Sequence, residues 1–261
     1  MRDEFDITKL PSSAEVAAVF SEAARSERSA AYLLEAYRTG VMFDIDGYQE
    51  QIDDTCTQMP EGQILWYITR QLRPTTVIET GFGRGASAAF FLSALSPWQG
   101  ELVSIDPFWH WAGKTGINYI QQLGLAENHV LLEIPSEIAL PRRLVQKSAE
   151  KLRIAYIDGS HHFDGTLLDF IYFDRMLEIG GVIAVDDAPA PAVRTVASFV
   201  ANNLPYKLHY ATMQLLICQK VAETKRDWCH FRPFTCSPRL DWAFHDELPG
   251  PDVVPNATFW R

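Results

Sequence analysis

Short apolar runs rich in β-branched residues alternate with helix-like patterns along most of the chain after Thr75, and this alternation strongly limits the folds available. The runs predicted to be strands are residues 76–79, 101–105, 130–134, 154–158 and 182–185. Strands that alternate with helices form βαβ units. We therefore expect an α/β fold with a mostly parallel, Rossmann-like sheet and helices on both faces.

Two helix-like segments between these strands have a clear apolar face. The first covers residues 163–179 and repeats apolar side chains from Phe163 to Leu177 at helical spacing, and Gly180-Gly181 is expected to supply a left-handed stop. The second runs from about Pro191 to Asn203. Both are predicted to pack one face against the sheet.

The end of the predicted sheet has a different connection. The strand-like segments "YKLHY" and "QLLICQK" are separated only by residues 211–213. Because three residues cannot form a crossover helix, these last two strands are predicted to be antiparallel.

The chain is predicted to have three parts. Residues 1–72 form an N-terminal extension, helical from about residue 12, residues 73–220 form the Rossmann-like domain, and residues 221–261 form a tail rich in Trp, Phe and Pro. Two interpretations of the tail stay open. It is either an aromatic flap that packs on the domain or on a second subunit of a homo-oligomer, or a lid over the substrate.

Composition excludes several classes of protein. A net charge of -10 without a cluster of Lys and Arg argues against a nucleic-acid partner. The N-terminus is charged, and no apolar run approaches the roughly 20 residues that span a bilayer, so we expect a cytoplasmic protein without a membrane partner. Four cysteines are too few for a disulfide framework. The zinc-ligand types Cys229, His230, Cys236 and His245 lack the paired C-x-x-C spacing of a strong zinc motif.

The stretch "VIETGFGRGASAAFF" joins a strand, a glycine-rich turn and the start of a helix. Gly81, Gly83 and Gly85 allow the backbone to approach a ligand, and the helix N-terminus, where Ser87 lies, adds unpaired N–H donors. Asp106, at the end of the next strand, is placed to accept hydrogen bonds from ribose hydroxyls. These features predict a nucleoside-containing cofactor.

The glycine motif also satisfies the G-x-G-x-x-A form of dinucleotide-binding loops, so it does not identify the cofactor. Glu79 is expected to place an anion beside the loop, which would repel a pyrophosphate and suit a sulfonium. That argument favours S-adenosylmethionine over a nicotinamide cofactor, as does the antiparallel final pair of strands.

Residues 61–220 resemble the class I S-adenosylmethionine-dependent methyltransferases, with E-T-G-F-G-R-G as their first motif and Asp106 as their ribose acid. The segments "EGQILWYITRQLRPTTVIETGFGRGAS" and "IDGSHHFDGTLLDF" resemble the macrolide-sugar O-methyltransferases and, more distantly, catechol O-methyltransferase. Many relatives hold adenine with Gly-Asp-Ser after the third strand, where this chain has "EIPSE". Ser136 is expected to do part of that work, and Trp109 or Trp111 is either a stacking wall or ordinary packing.

Three carboxylates are predicted to meet at one edge of the sheet, because Asp158, Asp186 and Asp187 end what should be adjacent strands. Converging carboxylates repel one another unless a cation neutralises them, and Mg²⁺ prefers such oxygen ligands. Alternatively, Asp186 caps the following helix and Asp187 is a solvated turn residue. The resemblance implies a divalent cation that chelates neighbouring substrate hydroxyls, and Asp158 is also counted among the cofactor-binding residues.

His161 follows Asp158 by three residues, which places its ring near the same edge. An imidazole titrates in the range that a general base needs, and the resembling enzymes carry Lys or His at this offset. The alternative is a histidine that orients Asp158 or bonds a loop carbonyl. His162 and Asp164 are expected to be structural, the latter as an acid at a helix N-terminus.

Together these features predict Mg²⁺-assisted O-methylation of a small-molecule acceptor with adjacent oxygens. Three alternatives stay open: a metal-independent methyltransferase, a nicotinamide-dependent oxidoreductase that uses the same loop, and a binding module that has lost its chemistry.

Overall fold

The structure is a computed structural model that describes residues 5–43, 47, 49–108, 115–147, 150–225, 229 and 231–234. Its N-terminal part contains helices α1 (Ser13–Ala23), α2 (Arg28–Thr39) and α3 (Met59–Leu72). A short antiparallel pair, β1 (Val41–Phe43) and β2 (Gln49–Gln51), stands between α2 and α3. The prediction of helix throughout residues 12–72 is therefore wrong for this hairpin. Gly40 explains where α2 ends, since its φ of 72° is left-handed and closes the helix before the strand begins.

The predicted sheet is confirmed, with seven strands in the order β5-β4-β3-β6-β7-β9-β8. The strands are β3 (Thr76–Thr80), β4 (Glu101–Ile105), β5 (His129–Leu132), β6 (Leu152–Ile157), β7 (Leu177–Val185), β8 (Tyr206–Tyr210) and β9 (Leu216–Lys220). The first five pair in parallel, whereas β9 pairs antiparallel with both β7 and β8. The strand order reverses at β3, so a crevice for a ligand is expected beyond its carboxyl end.

Helices cover both faces of the sheet, as predicted. They are α4 (Ala86–Leu95), α5 (Thr115–Leu123), α6 (Ser136–Gln146), α7 (Phe163–Met176) and α8 (Pro191–Asn203). Successive residues of a strand point to opposite faces, so Val77 packs in a core with α3 and α4 while Ile78 packs in a core with α6, α7 and α8. Each face of the sheet is thereby buried.

The junction between α7 and β7 corrects one prediction. The helix ends at Met176 instead of continuing to residue 179, and Gly180 lies inside the strand with a φ of 87°. Between the pairs Leu152↔Leu177 and Ile154↔Val182 the register shifts, so the glycine serves a bulge in the ladder and not a helix stop.

The first described residues join the same core. The side-chain amide of Gln219, a residue of β9, accepts from the backbone of Ile7 at 3.2 Å and donates to the carbonyl of Phe5. Ile7 and Val16 are fully buried together with side chains of α3 and α4. The predicted division into three parts stays a prediction. In the part of the chain that the structure describes, no helix combines the length and apolar character that crossing a bilayer requires.

Some predictions fall on residues outside the described ranges. These are Trp109, Trp111, His230, Cys236, His245 and the tail from residue 235 onward. Two described tail residues, Phe231 and Phe234, have their rings 6.4 and 5.9 Å from that of Phe199 on α8.

Candidate active site

The glycine loop follows β3 and leads into α4, as predicted. Gly81, Gly83 and Gly85 all have left-handed φ angles of 87°, 48° and 75°. A Cβ on Gly81 would lie 2.0 Å from the carbonyl oxygen of Asp158, so no other residue allows the loop to pass this close to the end of β6. The loop is thereby held against the carboxyl ends of β3 and β6.

Asp106, at the end of β4, fastens this loop. Its Oδ2 accepts hydrogen bonds from the backbone N–H of Phe82 at 2.9 Å and of Gly83 at 2.8 Å, and its Oδ1 accepts from Phe108 at 2.7 Å. A carboxylate has about four acceptor positions, so the described residues occupy three and leave one on Oδ1 for a ribose hydroxyl. The predicted ribose contact stays a prediction, now limited to that oxygen.

Glu79 does not lie where the sequence analysis expected it. Its carboxyl is fully buried behind the loop, and its two oxygens accept from the hydroxyls of Ser87 at 2.8 Å and Ser104 at 2.6 Å. Burial raises the pKa of Glu79 to about 8, so the group is mostly neutral at pH 7. The expected anion beside the loop is therefore not present. Glu79 and Ser87 instead fix the start of α4 to the sheet.

The three predicted acids lie together at the other side of the crevice. Asp158 follows β6, and Asp186 and Asp187 follow the neighbouring strand β7. Burial and then the charges of Asp186 and Asp187 raise the pKa of Asp158. Burial and then the charge of Asp187 raise the pKa of Asp186 to about 6, and its Oδ1 is buried without a hydrogen-bond partner among the described residues. These acids are close enough to repel one another.

His161 connects two of these acids. Its Nδ1 pairs with Oδ2 of Asp187, and its Nε2 lies 3.9 Å from Oδ1 of Asp158. The hydrogen bond to Asp187 raises the pKa of His161. Asp187 has a φ of 49°, an uncommon conformation for a residue with a side chain. The carboxylate of this strained residue thus orients the His161 ring, and Nε2 is directed to the acidic end of the crevice.

A cavity of about 1170 Å³ contains nearly all the predicted site residues. It is lined by Gly81, Gly83, Ser87, Asp106, Ser136, Asp158, His161, Asp186 and Asp187. Glu79 and Gly85 lie behind the wall. The volume exceeds that of a typical single-ligand pocket, which leaves room for a cofactor and a second molecule.

Sequence reasoning missed part of the wall. The polar segment 54–57, which precedes α3, lines the cavity together with the glycine loop. Arg84 of the loop ties this segment down through ion pairs with Asp53 at 2.6 Å and Glu50 at 2.8 Å. The acidic stretch "QEQIDD" could have indicated this contact in the sequence, since its acids need a basic partner. Asp169 on α7 was also missed, because it stands in an otherwise ordinary amphipathic helix.

Comparisons with known proteins agree with this architecture. Residues 78–188 match a family described as a methyltransferase domain. No curated protein matches the chain.

Several solved structures have a similar fold at low identity. The SAH-bound Podospora anserina methyltransferase PaMTH1 is 15% identical, with a TM-score of 0.57 over 73% of this chain and 88% of its own. The SAM complex of the O-methyltransferase TomG from Streptomyces achromogenes is 18% identical, with a TM-score of 0.54 over 66% and 84%. CalS11, a TDP-rhamnose 3'-O-methyltransferase, is 16% identical, with a TM-score of 0.50 over 62% and 80%. Residues 78–188 thus match a methyltransferase domain, and the chain shares the Rossmann-like fold of these methyltransferase structures.

Proposed function

We propose that the protein transfers the methyl group of S-adenosylmethionine to a hydroxyl oxygen of a small molecule, with His161 as the general base. The observation that carries the proposal is the position of His161 between Asp187 and Asp158 at the acidic end of the cavity. The names of TomG and CalS11 describe O-methyltransferases, which supports the same class of reaction.

The proposed division of the cavity follows from the sheet order. Asp106 ends β4, on one side of β3, and His161 follows β6, on the other side. A nucleoside held at Asp106 would therefore direct the methionine part and its methyl group toward β6 and β7. The acceptor hydroxyl would lie between this methyl group and His161, with the segment 54–57 as a further wall.

The proton of the acceptor would pass to Nε2 of His161. Asp187 holds Nδ1, so the ring presents Nε2 to the cavity, and the carboxylate stabilises the imidazolium that forms. Because the methyl group moves directly from sulfur to oxygen, the protein's further task is to hold the two reactants in line.

A divalent cation at Asp158, Asp186 and Asp187 is part of the proposal. Carboxylate oxygens suit such an ion, and their mutual repulsion would be relieved by it. Oδ1 of Asp186 is also buried without a partner in the part of the chain that the structure describes. Within the described residues, no group of three or more His, Cys, Asp or Glu side chains is arranged as a ready metal site. When bound, the ion would lower the pKa of the acceptor hydroxyl.

Two neighbouring histidines provide a matched test of the base. With a catechol as probe acceptor, His161→Ala is expected to reduce kcat at least about a hundredfold, as loss of a general base does, and His162→Ala to reduce it little. Both variants should bind S-adenosylhomocysteine as the unchanged protein does. Equal rates for the two variants would remove His161 from the base role.

The pH profile tests the orienting role of Asp187. A base must be neutral, so activity should rise with pH through the pKa of His161, which the bond to Asp187 raises above 6.5. Asp187→Asn removes the charge and should move this rise to lower pH. An unmoved profile would separate Asp187 from the base.

Two further measurements separate the alternatives. Activity lost in EDTA and restored by Mg²⁺ would support the cation, whereas full activity in EDTA would leave the metal-independent mechanism. Binding of a reduced nicotinamide cofactor, seen by its fluorescence, would favour the oxidoreductase alternative, and we expect none.

A further inference from the structure

Asp169 is a buried carboxyl that the proposed reaction does not use. It lies on α7, is 1% exposed, and contributes to the cavity wall beside Ser136 and Leu168. Among the described residues, neither of its oxygens has a hydrogen-bond partner of good geometry, and the same is true of the hydroxyl of Thr80. A buried carboxyl without partners is costly, so its presence needs an explanation.

Two hydroxyl groups lie around this carboxyl. Burial raises the pKa of Asp169 to about 6, and the hydroxyls of Ser136 and Thr80 are near enough to oppose that increase. Since a carboxylate only accepts hydrogen bonds, Asp169 can accept one from each hydroxyl after small side-chain rotations. Ser136 would then present oxygen lone pairs, and not its proton, to the cavity.

Ser136 stands where the nucleobase of the cofactor would lie. The ribose is expected at Asp106, after β4, and the next strand outward in the sheet is β5, whose following loop contains Pro135 and Ser136. The methyl end of the cofactor would extend the opposite way, toward His161. Ser136 is partly exposed, whereas Asp169 is buried.

We propose that Asp169 is a positioning residue that fixes the Ser136 hydroxyl as a hydrogen-bond acceptor for the exocyclic amine of the adenine ring. This proposal deepens the cofactor assignment and rests on it. The "EIPSE" segment, which lacks the Gly-Asp-Ser of many relatives, would thus recognise adenine through a carboxyl supplied by a different helix.

The test compares two ligands whose bases differ at position 6 and at the adjacent N1. S-Adenosylhomocysteine carries the donating amine, and S-inosylhomocysteine carries an accepting carbonyl oxygen there and a proton on N1. We expect the unchanged protein to bind the adenine compound about tenfold or more tightly, the range for one well-placed hydrogen bond, as measured by titration calorimetry. If the two bind equally, the base amine is not recognised and the proposal fails.

Variants identify the residue responsible. An Asn at position 169 can accept from one hydroxyl and must donate to the other, so Asp169→Asn should reduce the ligand ratio about threefold or more. Ser136→Ala should reduce it as well, and adding Asp169→Asn to Ser136→Ala should change it no further. An unchanged ratio in either single variant overturns the proposal, and Ser136→Ala provides this test even if Asp169→Asn fails to fold.

Asp174 supplies the matched control on the same helix. It is also buried, but its Oδ1 accepts from Tyr206 and Thr224 at 2.8 Å. Asp174→Asn should lower thermal stability and leave the ligand ratio unchanged. A ratio that falls equally in this variant would show that Asp169 acts only through general structure. If the unchanged protein binds neither ligand, the cofactor assignment itself fails, which is a distinct result.

Discussion

Replacing Glu79 with Gln tests whether the carboxyl behind the glycine loop carries a charge. The side chain is fully buried, and its only acceptor contacts among the described residues are the hydroxyls of Ser87 and Ser104. Burial raises its pKa from the ordinary 4.5 to about 8. Gln has nearly the same shape and is neutral at every pH, so the substitution isolates the effect of ionisation.

The sign and size of the effect follow from the two pKa values. Because the folded-state pKa is the higher one, the folded protein retains the proton after the unfolded chain has released it. The stability that Glu79 contributes is complete below pH 4.5 and is lost as the pH rises to about 8. The loss is about 3 kcal/mol by pH 7 and about 5 kcal/mol over the full range.

Urea unfolding, followed by tryptophan fluorescence from pH 5 to pH 9, measures this loss. The free energy of unfolding of Glu79→Gln, relative to the unchanged protein, should increase by about 4 kcal/mol between pH 5 and pH 8.5. Glu133→Gln, the same substitution at an exposed position, is the control. A constant difference for Glu79→Gln would refute the assignment of a neutral buried carboxyl.

Cofactor affinity gives an independent result for the same variant. If Glu79 is neutral at pH 7, Glu79→Gln should bind S-adenosylhomocysteine within about threefold of the unchanged protein. A loss of about thirtyfold or more would restore the idea that an anion at this position attracts the cofactor.

Two further substitutions test the packing around the site. Gly62→Ala should lower the melting temperature although Ala favours helices, because its Cβ would lie 2.1 Å from the Phe90 ring, and overpacking costs about 1–3 kcal/mol. Adding Phe90→Leu should recover part of the lost stability. If the double variant recovers none of it, the contact with Phe90 is not the cause. Lys220→Met should reduce the free energy of unfolding, measured in urea, by about 3–5 kcal/mol. Lys220 is 2% exposed and lies 3.5 Å from Oδ1 of the buried Asp174, which would lose its cation. An unchanged urea midpoint of unfolding would show that the ion pair contributes nothing to stability.

The sheet could be predicted from the sequence because its strands are buried on both faces. Such strands are short β-branched runs, and their order follows once the helices between them are recognised. The hairpin β1–β2 escaped detection because each strand has three residues and β2 consists of Gln49, Glu50 and Gln51. The end of α7 was misplaced because Leu177 continues the helical spacing of apolar residues although it already pairs with Leu152 in the sheet.

The sequence predicted those site residues whose location depends only on where they stand relative to the end of a strand. Asp158, His161, Asp186 and Asp187 meet because parallel neighbouring strands end at one edge, and the glycines fall where the loop passes Asp158. Hydrogen-bond partners distant in sequence were not predictable. The contacts of Asp106 with the loop N–H groups, and the approach of Asp169 to Ser136, depend on how separate elements pack.

The position of Glu79 changes the physical reason for preferring S-adenosylmethionine over a nicotinamide cofactor. A neutral, buried carboxyl neither repels a pyrophosphate nor attracts a sulfonium, so the loop itself does not discriminate between them. The acids after β6 and β7 could discriminate instead, since they line the cavity on the side where the proposed reaction places the sulfonium. Asp186, with a pKa of about 6, is mostly ionised at pH 7, so Asp186→Asn should weaken S-adenosylmethionine more than S-adenosylhomocysteine, which lacks the sulfonium charge. Glu79→Gln should affect both equally. Equal losses for the two ligands in Asp186→Asn would return the choice of cofactor to contacts other than charge.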